Sequence, residues 1–183
     1  MANTNTARRR LLQLALLGVA GVVLASCTSA EQVEYEFRKR FLQNFSKLPY
    51  FEGSQPPATS YAGVALVVNI WASWCPPCVY EMPSLQKLGT LFQPQDLQII
   101  AVSVDKDLNS VREFLLRNRL TFPVLLDHAN TTLRAPNLPS TFLLRRDHSI
   151  AKLHVGDRGW AEPQVIDEVE KLLGVKRIVH TAK

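Results

Sequence analysis

The sequence predicts an α/β domain: a central mixed sheet flanked by helices, with a helical extension at its N-terminal side. Three observations predict it. From residue 64 to residue 126 short apolar β-branched runs alternate with helical periodicity, the signature of parallel strands joined by crossover helices. Residues 143–154 then form an apolar–polar–apolar hairpin pattern, which adds antiparallel strands at one side. Hydrophobic residues make up 46% of the 183, with charges of both signs between them, so the chain can build a core rather than stay disordered.

The first 27 residues read as a targeting segment. Arg8, Arg9 and Arg10 precede a 15-residue apolar run, Leu11 to Ala25, broken only by Gln13. A spanning helix needs about 20 apolar residues. The shorter run suits the apolar region of a signal peptide. It ends in Leu24-Ala25-Ser26-Cys27, which resembles a bacterial lipobox. That resemblance implies lipidation of Cys27, through its thiol, and a cell-envelope or periplasmic protein tethered to a membrane. Plain secretion with cleavage after Ala30, or an uncleaved anchor, are the alternatives. Arg8-Arg9-Arg10-Leu11-Leu12 also resembles a twin-arginine export signal. The net charge is +5; setting aside those three arginines leaves +2, and no basic stripe with interleaved aromatics points to nucleic acid.

Residues 28–60 are expected to hold a helix and a linker. Val33, Phe37, Phe41, Phe45 and Leu48 recur at helical spacing over 31–48, with Tyr35 and Leu42 widening the stripe. Pro49, Gly53, Ser54, Pro56 and Pro57 then mark a loop or linker from Pro49 to Tyr61. The main domain is placed at residues 61–175. Val64–Ile70 reads as a buried strand, 75–92 as a helix and Leu97–Val104 as a second strand. Leu108–Asn118 reads as a helix and Phe122–Leu126 as a third strand. The hairpin follows, then a helix from Glu162 to Leu173 ended by Gly174. The chain after Gly174 is expected at the surface, and residues 176–183 are left outside the domain as a tail.

Cysteine usage is sparse: Cys27 in the targeting segment, and Cys75 and Cys78 in the domain. The pair sits in Trp71-Ala72-Ser73-Trp74-Cys75-Pro76-Pro77-Cys78, between a buried strand and a helix. Residues at i and i+3 share one face of a helical turn, close enough to bridge. A cysteine at a helix N-terminus meets free N–H groups and the positive end of the dipole, which favour its thiolate. Cys75 is therefore the expected attacking sulfur and Cys78 the resolving one. Pro76 and Pro77 fit first-turn positions, where a missing N–H is tolerated. An inert disulfide and a metal site are the competing readings. A four-residue ring stabilises little through loop entropy, and His128, His148, His154 and His180 lie near no second cysteine pair. Glu81, one turn beyond Cys78, is either a proton acceptor beside the buried thiol or a first-turn acid complementing the dipole.

The motif resembles the thioredoxin superfamily, and most closely its exported branch of TlpA/ResA-type proteins and cytochrome c maturation thioredoxins. The similarity runs from about Val64 to Leu173. It includes Val68-Asn69-Ile70-Trp71, the Cys-Pro-Pro-Cys site, Glu81-Met82-Pro83 and Leu138-Pro139-Ser140-Thr141-Phe142. It implies a thioredoxin-like fold and a protein disulfide oxidoreductase with no cofactor beyond a redox-active Cys75–Cys78 disulfide, and no metal. Trp74, Pro76, Pro77 and Pro139 would meet the substrate, Pro139 through a cis peptide bond. Asn69 stands where thioredoxin itself has a titrating aspartate, which shifts the expected proton handling to Glu81.

The implied partners are oxidised proteins, apocytochrome c among them, and a membrane thiol protein as electron donor. A disulfide-forming oxidant, a copper chaperone using the same thiols and a peroxidase remain as rival functions. The wider cysteine spacing of copper chaperones and the Thr-x-x-Cys pattern of peroxidases are both missing. Asp147-His148 replaces the Asp-Gly that the family often carries in its last hairpin.

Overall fold

The structure is a computed structural model, and it describes residues 29–52 and 61–178. Arg8–Arg10, the apolar run and Cys27 lie outside the described residues, as does the middle of the linker. Two compact units divide between Glu36 and Phe37. Of the first, the described part is the start of helix α1 (Ala30–Asn44), where Val33 and Tyr35 are exposed. Among the described residues no helix is long and apolar enough to cross a membrane.

The second unit holds a five-stranded sheet in the order β3-β2-β1-β4-β5. Its strands are β1 (Ala65–Trp71), β2 (Leu97–Ser103), β3 (Val124–Leu126), β4 (Ser140–Leu144) and β5 (Ile150–Val155). β1 pairs parallel with β2, and β2 parallel with β3. β4 runs antiparallel to both β1 and β5. Helix α2 (Pro76–Thr90) connects β1 to β2, α3 (Leu108–Asn118) connects β2 to β3, and α4 (Pro163–Leu173) follows β5. This is the mixed, helix-flanked sheet that the alternation predicts. Every residue of β1 is buried, as expected of a central strand covered on both faces.

Adjacent strand residues point to opposite faces. On β4, Thr141 is held by Asn69, which in turn reaches α2, whereas Phe142 stacks against Phe41 at 3.8 Å and meets Phe37 edge-on at 5.1 Å. The Phe37–Asn44 part of α1 and helix α2 therefore cover opposite faces. The apolar stripe of α1 is narrower than its sequence suggests. Phe37 and Phe41 are buried, Leu42 is exposed, and the helix gives way to a 3₁₀ turn at Phe45–Lys47.

Two expectations are corrected. Residues 49–51, expected in a loop, pair with the edge of β3. Tyr50 bridges Leu125, the Phe51 N–H donates to Val124 O at 2.8 Å, and Leu126 N–H donates to Pro49 O at 2.8 Å. Burial of Leu48 and Phe51 draws that segment in and covers an edge that would otherwise be open. The stretch after Gly174, expected at the surface, is also tied down. Val175 is buried, the Arg177 guanidinium pairs with Asp167 and Glu170, and Ile178 N–H donates to Leu91 O at 2.8 Å.

The last hairpin shows how a non-glycine residue fills a glycine position. His148 adopts φ 61°, the left-handed region. Its Nε2 lies 3.0 Å from Tyr61 O, so the proton belongs on Nε2. Asp147 Oδ1 accepts from the Ser149 N–H and hydroxyl and completes the turn.

Candidate active site

β1 ends at Trp71, and the chain turns sharply before α2. Cys75 is the N-cap of α2, with extended backbone (φ −98°, ψ 101°), and Pro76 and Pro77 open the first turn. The turn is fixed from beneath by Asp105. Its buried carboxylate accepts from Ser73 N–H at 3.0 Å, the Ser73 hydroxyl at 2.7 Å and the Ser103 hydroxyl at 2.8 Å. Sequence reading missed Asp105; an acid directly after an apolar strand end was the available signal.

Cys75 and Cys78 form a disulfide with Cα atoms 5.3 Å apart, within the ordinary range. Cys75 is 5% exposed and Cys78 wholly buried. Cys78 N–H points at Cys75 Sγ across 3.4 Å, so the sulfur occupies the place where a helix N-terminus stabilises an anion. Trp74 and Pro76 are exposed beside it, and Pro77 is half-buried.

A groove of about 930 Å³ runs from Cys75 past Trp74 and Pro76 to Lys106, Asn130 and Leu138. Its far wall is the 127–138 stretch. The Asp127 carboxylate accepts from Thr132 and Leu133 N–H at 2.8 and 2.7 Å. The Asn130 side chain exchanges two hydrogen bonds with the Ala135 backbone. The Leu138–Pro139 peptide is cis. Leu138 lines the groove, while Pro139 is buried and its carbonyl accepts from Gly156 N–H at 2.9 Å. Of the cis pair, Leu138 is the residue that lines the groove.

Glu81 lies one turn beyond Cys78 and is 3% exposed. Its Oε2 accepts from the Trp160 indole N–H at 2.8 Å and Arg158 N–H at 3.2 Å. Its Oε1 accepts from Asn69 Nδ2 at 2.7 Å. Burial pushes its pKa from the ordinary 4.5 up to about 7, aided by the negative charge of Asp157 and opposed by the Trp160, Asn69 and Arg158 donors. The carboxyl is thus poised near neutrality, where a general acid–base group is most useful.

The loop carrying two of these donors is well anchored. Trp160 N–H donates to Ser84 Oγ, which itself donates to Glu81 O at 2.7 Å. The Arg158 guanidinium lies over the Trp160 ring and pairs with Glu168, which also holds Lys152. Sequence reading missed Trp160 and Arg158, because nothing local marks a residue 79 positions away as a partner of Glu81. Among the described residues no cluster of three or more histidine, cysteine or acidic side chains is arranged to hold a metal ion.

Fold and site together define a thioredoxin-like protein built around a Cys-Pro-Pro-Cys disulfide. The Redoxin family model matches residues 42–171. Thiol-disulfide oxidoreductase ResA of Geobacillus thermodenitrificans is 35% identical over 108 residues, covering 57% of this chain and 62% of that protein. The chain thus spans less than two thirds of that relative's length. ResA of Halalkalibacterium halodurans is 32% identical, covering 67% of this chain and 69% of that protein. The thioredoxin-like protein YneN of Bacillus subtilis is 30% identical, covering 80% and 87%. StoA of Bacillus subtilis shares the fold, with a TM-score of 0.54 at 23% identity over 68% of this chain and 92% of that one. The chain belongs to the Redoxin family and, within the thioredoxin superfamily, is ResA-like.

Proposed function

We propose that this protein is a thiol–disulfide oxidoreductase that reduces oxidised proteins outside the cytoplasm. The observation that carries the reading is the Cys75–Cys78 disulfide at the N-terminus of α2, open to a groove at Cys75 and backed by a buried carboxyl poised near neutrality.

In the reduced protein the Cys75 thiolate attacks one sulfur of a substrate disulfide. The substrate's other sulfur leaves as a thiolate and takes a proton. Glu81 accepts the proton of Cys78, whose thiolate then attacks Cys75 Sγ. The second substrate sulfur departs, and the Cys75–Cys78 disulfide closes. Two electrons pass from the cysteine pair to the substrate. Extended substrate backbone fits the groove beside Trp74, Pro76 and Leu138. Apocytochrome c is the favoured acceptor and a membrane thiol protein the donor, both drawn from the family resemblance. The same resemblance and the Leu24–Cys27 pattern support a lipid tether at Cys27, with export by the general or the twin-arginine route.

Equilibration of residues 31–183 with a dithiol or glutathione buffer tests the direction. A midpoint near or below about −230 mV supports a reductant, and one near about −120 mV reverses the electron flow to that of an oxidant.

A further inference from the structure

The two oxygens of Glu81 have different neighbours. Oε2 meets the Trp160 indole N–H and the Arg158 backbone N–H. Both groups are donors only, so neither can accept a proton placed on Oε2. Oε1 meets one group, the carboxamide of Asn69. A carboxamide has a donor end and an acceptor end, and rotating it by half a turn exchanges them.

One end of the Asn69 carboxamide is tied by hydrogen bonds and the other is not. Its Nδ2 donates to Glu81 Oε1 at 2.7 Å and to Thr141 Oγ1 at 2.9 Å, and both neighbouring side chains are buried. Its Oδ1 is buried and has no hydrogen-bond partner. This arrangement suits an ionised Glu81, which needs donors. A neutral Glu81 needs an acceptor for its new O–H. Turning the Asn69 amide over puts Oδ1 where Nδ2 stood, between Glu81 and Thr141, and puts Nδ2 where Oδ1 had no partner, so the turn gives up the two hydrogen bonds that Nδ2 donates. The Thr141 hydroxyl, which can donate as well as accept, then rotates to donate to the same oxygen.

We propose that Asn69 and Thr141 form a proton-linked amide switch: Glu81 carries its proton on Oε1, and the Asn69 carboxamide turns over to accept it. Asn69 and Thr141 are positioning residues, acting through Glu81. When Cys78 gives up its thiol proton, an O–H bond forms at Oε1, a thiolate remains at Cys78, and no electrons change hands. The inference rests on the reading of Glu81 as the proton acceptor. The other charged groups near Glu81 are Asp157 and Arg158 in the loop after β5. Beyond Trp160 lie His154 on β5, and Glu168 on α4 with its partner Lys152. None of these touches Oε1 in the hydrogen-bond network.

The test uses the oxidised protein, in which neither Cys75 nor Cys78 titrates. The Asn69 side-chain amide is followed by nuclear magnetic resonance from pH 5 to 9, with the Glu81 carboxyl carbon followed in parallel. The expected result is loss of the Overhauser contacts between the Asn69 amide protons and Thr141 on the acid side. The midpoint should coincide with that of the carboxyl carbon, and the change should vanish in Glu81→Gln. An Asn69 amide that keeps its Thr141 contacts on both sides of the carboxyl midpoint overturns the switch. A turning amide combined with unchanged substrate exchange in Glu81→Gln keeps the switch but removes the proton-acceptor role of Glu81. A fixed amide combined with slowed exchange does the reverse.

Discussion

Replacing Glu81 by glutamine should stabilise the oxidised protein at alkaline pH and have no such effect at acid pH. The side chain is 3% exposed, and its pKa rises from 4.5 to about 7 on folding. Between those values the folded chain binds a proton that the unfolded chain has released, so stability falls as pH rises. The favourable contribution of neutral Glu81 is complete below pH 4.5 and lost as pH passes through about 7. A difference of about 2.5 pH units, at about 1.4 kcal/mol each, amounts to roughly 3 kcal/mol.

The glutamine side chain of the Glu81→Gln variant has no charge to bury, and its carbonyl oxygen can accept from Trp160 and Arg158 in place of Oε2. The assay is urea unfolding of both proteins, disulfide closed, from pH 4.5 to 8.5. The variant-minus-wild-type difference should grow by about 3 kcal/mol in favour of the variant across that range and level off above pH 8. Taking the difference cancels the shared pH dependence of Glu168 and Glu170, whose pKa values are held low by their basic partners. Parallel curves at every pH would show that Glu81 ionises with its ordinary affinity, and the account of its burial would be wrong.

Cys78→Ser should accumulate a mixed disulfide between Cys75 and a bound substrate protein, seen as a mass adduct that dithiothreitol releases; Cys75→Ser should accumulate none. Asp105→Ala leaves the Ser73 N–H and two hydroxyls without their acceptor, so thermal or urea unfolding should show a loss of about 3 kcal/mol. The same variant should lower exchange rates more than stability explains, because Ser73 holds the turn before Trp74 and Cys75. On the proposed lipid tether, Cys27→Ala should lack a lipid-sized mass that the wild-type protein carries, and wild-type protein of unlipidated mass would refute the tether.

Much of the fold was legible because it is encoded locally. The apolar run at 65–71 has no room for a polar face, so it had to be a covered strand. Pro76 and Pro77 could only open a helix, and Gly174 could end one, which it does at φ 65°. The Cys-Pro-Pro-Cys pair is legible for the same reason, since its spacing and its place at a strand–helix junction lie within eight residues. The pairing of residues 49–51 with β3 was not legible. Two aromatic residues after a proline carry no strand periodicity, and only the presence of an open edge gives their backbone a partner.

The chemistry of Glu81 divides along the same line. Its position one turn from Cys78 follows from the sequence alone, because helical spacing is a local property. Its burial and its pKa follow from Asn69, 12 residues before it, and from Arg158 and Trp160, 77 and 79 residues after it. Desolvation and the three donors act through space and leave no trace in the spacing of the chain. The sequence by itself determined which residues could exchange a disulfide, and the sheet and loop packing alone decided how a proton is held beside them.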